Sequence, residues 1–260
     1  MRLALIGTGQ MGAAVEALAR ARGDEVVARF NRRHPLDAAA AEALARADVA
    51  IDFSRAEAVP GHVTWCCRQG VPLVIGTTGW HDALETVRAT VAAHDGAVLY
   101  AANFSMGVAL LVQALRGLVP LLERLPGYDV QVHEVHHVRK ADHPSGTART
   151  LAQVLLDGLS RKTHLATGLP EGPLDPAALQ VTAARVGRIF GVHTVTIDGE
   201  HDRLTFTHEA KSRQGFAEGA LTAAAWLRSR RGLFTLDDLL ADWLAHPIDD
   251  PQTIHNAVSP

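Results

Sequence analysis

Arg2-Leu3-Ala4-Leu5-Ile6-Gly7-Thr8-Gly9-Gln10-Met11-Gly12 is the stretch on which the fold turns. An apolar run stops at a glycine, and an alanine-rich run from Met11 to Ala21 follows, free of glycine after Gly12. The first reads as a buried strand and the second as a helix. Glycines at this spacing have separate mechanical duties. Gly7 permits the tight turn, Gly9 lets backbone approach a pyrophosphate, and Gly12 lets the helix pack closely on the sheet. The helix start offers free N–H groups and the positive end of its dipole. Gly7, Thr8, Gly9, Gln10, Met11 and Gly12 are therefore the candidate dinucleotide site. The motif alone is weak, and the strand–turn–helix setting gives it weight.

Working outward, further strands are expected over Glu25–Phe30, Val49–Phe53, Leu73–Ile75 and Val98–Ala101. Helical stretches separate them, such as Asp82–Ala93, although only Asp37–Arg46 is available between the second and third strands. Strand–helix alternation predicts parallel βαβ units in a Rossmann-like, doubly wound sheet. The rhythm changes after Asn103. A long helix is expected from Ser105 to Arg124, stopped at Pro126-Gly127, then a strand over Tyr128–Val138 and a helix over Ser145–Leu159. Val181–Val186, Val192–Ile197 and Arg203–Thr207 read as strands without long helices between them. Antiparallel pairing with a turn at Asp198-Gly199 is the expectation. Helices over Gln214–Arg230 and Leu236–Trp243 and a poorly ordered tail from His246 complete the chain. The fold class is α/β, with a second α+β domain built on an open mixed sheet. The domains are expected at 1–106 with 214–260, and at 107–213.

With 260 residues, 47% of them hydrophobic, the chain can bury two modest cores. A formal charge of −3 gives no electrostatic reason to expect nucleic acid or an anionic membrane as partner. The apolar run at the start is too short for a signal peptide or membrane helix. The run Val108–Leu122 is interrupted by Gln113 and Arg116. Cys66 and Cys67 are adjacent, a poor geometry for a disulfide, and read as reduced core thiols of a cytoplasmic protein.

NAD-binding folds of this kind carry an acid at the end of the second strand, where it binds the adenosine ribose. This chain has Phe30-Asn31-Arg32-Arg33 there. Asn31, Arg32 and Arg33 suit a ribose 2′-phosphate, so NADPH is expected ahead of NADH.

His133-Glu134-Val135-His136-His137 matches the H-E-x-x-H pattern of zinc proteases. That chemistry needs a helix, and the surrounding valines indicate a strand. On a strand His133 and His137 stand about 13 Å apart at roughly 3.3 Å per residue. They cannot both reach one zinc at about 2.0 Å, so no metal is expected. The same stretch opens a more informative array: Glu134-x-His136-His137-x-x-Lys140-x-Asp142-x-Pro144-Ser145-Gly146-Thr147-Ala148. It is a strand delivering imidazoles, a loop carrying an ammonium and a helix start bearing hydroxyls. Such an arrangement suits a small carboxylate.

With these motifs the chain resembles the 4-hydroxy-tetrahydrodipicolinate (dihydrodipicolinate) reductase family from Leu3 to about Leu240. The resemblance also rests on Asp52-Phe53-Ser54, Gly76-Thr77-Thr78-Gly79, Ala102-Asn103-Phe104-Ser105-Met106-Gly107, Arg185-x-Gly187, Gly191-x-His193-Thr194, Ser212-Arg213 and Phe216-Ala217-x-Gly219-Ala220. It implies NAD(P)H-dependent reduction of 4-hydroxy-tetrahydrodipicolinate, via dihydrodipicolinate, to tetrahydrodipicolinate, on the diaminopimelate route to lysine. His136 matches the proton donor. Lys140 matches the residue that holds a substrate carboxylate and assists the proton step. His137, Ser145, Gly146 and Thr147 match substrate contacts. Gly76, Thr77, Thr78, Ala102, Asn103 and Phe104 match the loops flanking the nicotinamide, and Arg213 and Phe216 positions near hinge and cofactor. The partners implied are a small cyclic dicarboxylate and further copies of the chain in a homotetramer. Gln10 stands where relatives often carry arginine, Asn31 where some carry glutamate, and the segment from Arg32 to Asp48 is short. Another two-domain reductase, such as an aspartate dehydrogenase-like enzyme, would explain the glycine motif but not the segment from His136 to Thr147. A non-catalytic NADP sensor would need no proton donor.

Overall fold

The computed structural model describes residues 1–168 and 170–246. The chain divides into two compact units, one of residues 1–101 with the chain from 220 onward, the other of residues 102–219. These divisions lie a few residues from the expected ones. The side chains of Asn103 and Ser105 bond Thr147 and His208, which ties this segment into the second unit.

In the first unit the strands are β1 (Arg2–Ile6), β2 (Glu25–Phe30), β3 (Val49–Asp52), β4 (Leu73–Ile75), β5 (Ala97–Tyr100) and β11 (Gly232–Thr235). They form one sheet in the order β11-β5-β4-β3-β1-β2, with every pairing parallel. Helices α1 (Gln10–Ala21), α2 (Ala41–Ala45), α3 (Val59–Arg68) and α4 (Leu84–Ala93) make the crossovers, and α8 (Leu236–Ala245) follows β11. Central strands β3 and β4 are buried at every position, as expected where both faces are covered. From β1 the chain passes to β2 on one side and then to β3 on the other. The strand order therefore reverses at the C-terminal end of β1, the place where such sheets bind nucleotides. Cys66 and Cys67 are free and buried in this core. Burial pushes both thiols up, Cys67 to about 11, which leaves them unreactive near neutrality.

In the second unit α5 (Met106–Leu122) and α6 (Gly146–Gly158) cover one face of a five-stranded sheet. Its strands are β6 (Asp129–His136), β7 (His164–Thr167), β8 (Ala178–Arg185), β9 (Val192–Asp198) and β10 (Arg203–Glu209), in the order β10-β9-β6-β8-β7. Ser145 caps α6 and Ser105 caps α5, each hydroxyl accepting an N–H from three residues on. Along β6, Val130, Val132, Glu134 and His136 are buried, while Gln131, His133 and Val135 point to the other face. That period of two brings the two polar groups of the motif into line with the core valines. Helix α7 (Gln214–Leu227) contains the boundary between the units.

Two expectations are corrected. The strand β8 is not antiparallel to its successor: it pairs parallel with β6 and β7, and β9 pairs antiparallel with β6 and β10. The short link after β8 reads as a hairpin, but it hooks over the end of β6. His137 N donates to Ile189 O at 2.7 Å and Val186 N to His136 O at 2.9 Å. β6 thus gains a neighbour on each edge. The turn between β9 and β10 is residues 199–202, with Asp198 paired to Arg203 and Gly199 N bonded to Asp202 O. Strands β7 and β11 are additions to the expected elements. The expected loose tail lies, beyond His246, outside the described residues.

Candidate active site

Gly7 has a φ of +93°, and a Cβ there would lie 2.2 Å from Phe53 O. A Cβ at Gly12 would lie 2.0 Å from Gly7 O, so the start of α1 sits directly on the turn. Around Gly9 nothing comes within 4 Å of such a Cβ, and no side chain caps α1. The three glycines therefore divide the work as turn, open approach and close packing. Exposed Thr8 and Gln10 and half-buried Met11 complete the loop. This geometry fits a dinucleotide phosphate.

Asn31 holds the next loop. Its Oδ1 accepts Arg33 N at 2.9 Å and His34 N at 3.2 Å, and its Nδ2 donates to Thr8 Oγ1 at 3.3 Å. Arg32 and Arg33 are exposed. Thr77, by contrast, is buried and donates to Asp52 Oδ1 at 2.9 Å. The Asp52 carboxylate also takes Ser54 N at 2.8 Å and contacts His62 Nδ1 at 2.7 Å. It thereby fastens the loops after β3 and β4 to α3. Thr78 is the exposed member of the Gly76–Thr78 segment.

In the second unit, Asn103 Nδ2 donates to Thr147 Oγ1 at 3.1 Å, joining a residue expected near the nicotinamide to the start of α6, where substrate contacts are expected. Phe104 is a core side chain, and its carbonyl is packed so closely that a Cβ at Gly219 would come within 1.8 Å of it. Ala102 is exposed. Arg213 lies over the Phe190 ring, 5.4 Å from its centroid, and Phe216 is half-buried.

The centre of this unit is a buried polar cluster. Glu134 has no exposed surface, and its carboxylate accepts Ser145 N at 3.2 Å and Arg185 Nη2 at 3.1 Å. Burial alone would raise its carboxyl, but these donors hold it below the ordinary carboxylate range. Its Oε2 stands 3.5 Å from His136 Nδ1 and 3.7 Å from His193 Nε2. Ser145 Oγ lies 3.1 Å from His193 Nε2, and Ser105 Oγ 3.1 Å from His208 Nε2. The His136 and His193 rings meet edge-on at 5.0 Å, and His193 stacks on His208 at 6.5 Å. A Cβ at Gly191 would approach His136 Nε2 to 2.9 Å, so the ring packs close to this residue and only glycine fits there.

Burial lowers all three imidazoles, most of all His193, to about 4, with the His136 charge adding to the effect. From the ordinary 6.5 down to about 4, the unfolded chain therefore takes up a proton at His193 that the folded protein refuses. Stability is present above this window and falls as pH drops through it, by on the order of 3 kcal/mol for a fully buried group. Thermal melts from pH 7 to pH 4 should show that fall, and His193→Asn should flatten it. An unchanged slope in the variant would remove His193 as the source.

Lys140 Nζ is held by Asp142 Oδ1 at 2.7 Å, and His137 is half-buried beside the link after β8. Gly146 is exposed and Thr147 half-buried, but Ser145 is buried, with its N–H committed to Glu134 and its hydroxyl to Ala148 N and His193. Of the three, Gly146 and Thr147 lie outside that network, in the first turn of α6, where the leading N–H groups have no acceptor within the helix. His133 lies on the opposite face of β6, bonded to Thr182. The one set of metal-type ligand atoms among the described residues is Glu134, His136 and His193, within 4.8 Å of one another. Arg185 and Ser145 already occupy that carboxylate. Glu134, Arg185 and His193 lie inside quoted motifs, yet nothing in the sequence assigned them roles. His208 and its bond to Ser105 carried no sequence signal, because β10 meets α5 only in space.

A parallel dinucleotide sheet, followed by a mixed-sheet unit that gathers imidazoles, a buried carboxylate and a helix N-terminus, defines a nicotinamide-dependent oxidoreductase. Family models described as "Dihydrodipicolinate reductase, N-terminus" and "Dihydrodipicolinate reductase, C-terminus" match residues 1–104 and 107–240. The chain belongs to the dihydrodipicolinate reductase family. It is 37% identical over 245 residues to the 4-hydroxy-tetrahydrodipicolinate reductase of Christiangramia forsetii, covering 93% of this chain and 98% of that one. With the enzyme of that name from Laribacter hongkongensis it shares 39% over 211 residues, covering 80% of this chain and 76% of that one. Its fold is similar to that of dipicolinate-bound dihydrodipicolinate reductase from Paenisporosarcina sp. TG-14. The TM-score is 0.75 at 21% identity, over 90% of this chain and 97% of that one. No helix among the described residues is long and apolar enough to cross a membrane.

Proposed function

We propose that the chain reduces 4-hydroxy-tetrahydrodipicolinate, by way of dihydrodipicolinate, to tetrahydrodipicolinate, on the diaminopimelate route to lysine. The observation that carries this reading is the buried cluster at the C-terminal end of the central strand β6, where His136 and Glu134 meet the start of α6 and the chain runs on into His137 and Lys140. NADPH or NADH, when bound at Gly7–Gly12, supplies the hydride. The chain's residues do the rest. Lys140 exchanges Asp142 for a substrate carboxylate, and the N–H groups of Gly146 and Thr147 take a carboxylate at the helix start. His137, directly after β6, is a further substrate contact in this reading. His136 delivers a proton from Nε2, the ring nitrogen that does not face Glu134. By their match to the family's motifs, Gly76, Thr77, Thr78, Ala102, Asn103, Phe104, Arg213 and Phe216 would serve the cofactor, with buried Thr77 and Phe104 acting through the backbone they hold. Mixing purified protein with NADPH and freshly generated substrate should give a fall in NADPH absorbance. No oxidation with either cofactor would refute the assignment.

NADPH is the preferred cofactor in this reading. Asn31 places no charge against a 2′-phosphate, and Arg32 and Arg33 stand exposed beside it. The double change Arg32→Ala, Arg33→Ala should raise the NADPH KM roughly tenfold, the equivalent of about 1.4 kcal/mol, and leave NADH nearly untouched. The preference should shrink with salt, since exposed charges are screened over about 8–10 Å at physiological ionic strength. Equal losses for both cofactors would assign the arginines to the fold.

The assembly proposed is a homotetramer in the cytoplasm. Among the described residues, no helix of the second unit's core covers the outer sheet face of Gln131, His133, Val135, Thr182, Thr194 and Thr196, a half-buried surface without formal charge and suited to meeting a copy of itself. Light scattering of the purified protein reads the mass directly.

A further inference from the structure

Glu134 carries no role in the reading just proposed, yet it lies against Ser145, Arg185, His136 and His193 at once. It lies two residues before His136 on the same face of β6, with no exposed surface. Its Oε1 is held by Arg185 at 3.1 Å, and both oxygens accept the Ser145 N–H at 3.2 Å. The carboxylate is thus locked in place from β8 and from the start of α6. Beyond the Ser145 N–H, Oε2 faces two imidazoles, His136 Nδ1 at 3.5 Å and His193 Nε2 at 3.7 Å. The His136 nitrogen is buried and has no hydrogen-bond partner. A buried ring nitrogen next to a fixed anion is stabilised when it carries a hydrogen.

We infer that Glu134 is a positioning residue for the proton step: it holds the hydrogen of His136 on Nδ1, so that the transferred proton leaves from Nε2, and it ties the donor to the helix start that receives the substrate carboxylate. The inference rests on the assignment of His136 as proton donor. The geometry supports both halves. Nδ1 faces the carboxylate, and Nε2 faces Gly191, where a Cβ would intrude to 2.9 Å. The Ser145 N–H that Glu134 takes is the one immediately before the N–H groups of Gly146 and Thr147, so a shift of the carboxylate moves donor and anchor together.

Other charged groups around His136 act in both directions. Lys140 in the following loop and Arg185 on β8 disfavour its imidazolium, and Asp142 favours it. His193 on β9 is neutral near pH 7, His208 on β10 is behind it, and His143 Nδ1 is 3.9 Å from Glu134 Oε1. Glu134 is the strongest favourable partner. Without it the lysine and arginine act on a buried ring almost unopposed.

The test is Glu134→Gln. The amide keeps an oxygen for Arg185 and Ser145, so its NH2 turns to His136 and reverses the polarity of the contact. Histidine 15N spectra of the full-length protein, recorded without substrate, should show neutral His136 protonated on Nδ1 in the wild type and on Nε2 in the variant. His136 should titrate at least one pH unit lower in the variant, and the descending limb of kcat against pH should move down with it. kcat at pH 7 should fall more than tenfold, with an unchanged NADPH KM. An Nε2-protonated ring in the wild type, or a His136 titration that does not move, would overturn the inference and reduce Glu134 to an anchor for α6. Thermal melts distinguish a misfolded variant, in which case Glu134→Asp, which keeps the charge but shortens the reach, replaces it in the same spectra. Because the spectra need no turnover, they read the inference even if the wild-type protein fails to reduce the proposed substrate.

Discussion

His136→Ala is expected to lower kcat by about 10²–10⁴-fold while changing the KM for the dicarboxylate little, the loss typical of removing a positioned acid. The argument is one of place and chemistry. His136 ends β6 on its buried face, pinned between Glu134 and the edge of His193. Burial, Lys140 and Arg185 lower its imidazolium, and Glu134 and Asp142 oppose them. The lowering makes His136 a stronger acid, and the nearby carboxylate keeps some of it charged. As a general acid it loses activity as pH rises through its own titration, so kcat should fall on the alkaline side. In His136→Ala that limb should vanish along with most of the rate. Steady-state kinetics from pH 5 to pH 9, wide enough to bracket the ordinary histidine value of about 6.5, make the comparison. A variant with near-normal kcat would take His136 out of the mechanism.

Lys140→Ala is expected to raise the KM for the cyclic dicarboxylate about 10–100-fold and to lower kcat as well. A charge-assisted contact of this kind contributes about 1.5–3 kcal/mol. In the free protein the ammonium rests on Asp142 at 2.7 Å, and it holds that carboxyl below its usual range. The substrate carboxylate has to displace Asp142, so the measured loss is a difference between two ion pairs and falls toward the lower end. The NADPH dissociation constant should stay within twofold, because Lys140 belongs to the unit of residues 102–219 and the glycine loop to the other. Fluorescence titration with NADPH checks this. A cofactor affinity that fell while substrate affinity held would reverse the proposed division of labour.

Most of the nucleotide unit was legible because its signals are local. Strands β1 to β5 and helix α1 announce themselves as apolar runs and an alanine-rich stretch bounded by glycine. Strand β11 did not. Gly232–Thr235 is four residues long and half-buried at each position, with no alternation to mark it. Only its parallel pairing with β5 makes it a strand. The topology of the second sheet was hidden for a similar reason. A six-residue link between two valine-rich strands looks like a hairpin, and nothing local says that β6 will occupy the space between them.

The sequence by itself determined the class of fold, the glycine loop, the arginines after β2 and the array from Glu134 to Thr147, because each of these is a short-range pattern whose spacing carries its physics. Tertiary structure alone decided which of the motif residues are buried and what they bond. It turned Ser145 and Thr77 inward, bonding the first to Glu134 and the second to Asp52, left Gly146 and Thr78 exposed, and half-buried Thr147 against Asn103. It also brought Glu134, Arg185, His193 and His208 together from four different strands. The reason is burial. A carboxylate withdrawn from water has to be satisfied by donors on neighbouring strands and at the α6 start, and these become neighbours only when the sheet has formed.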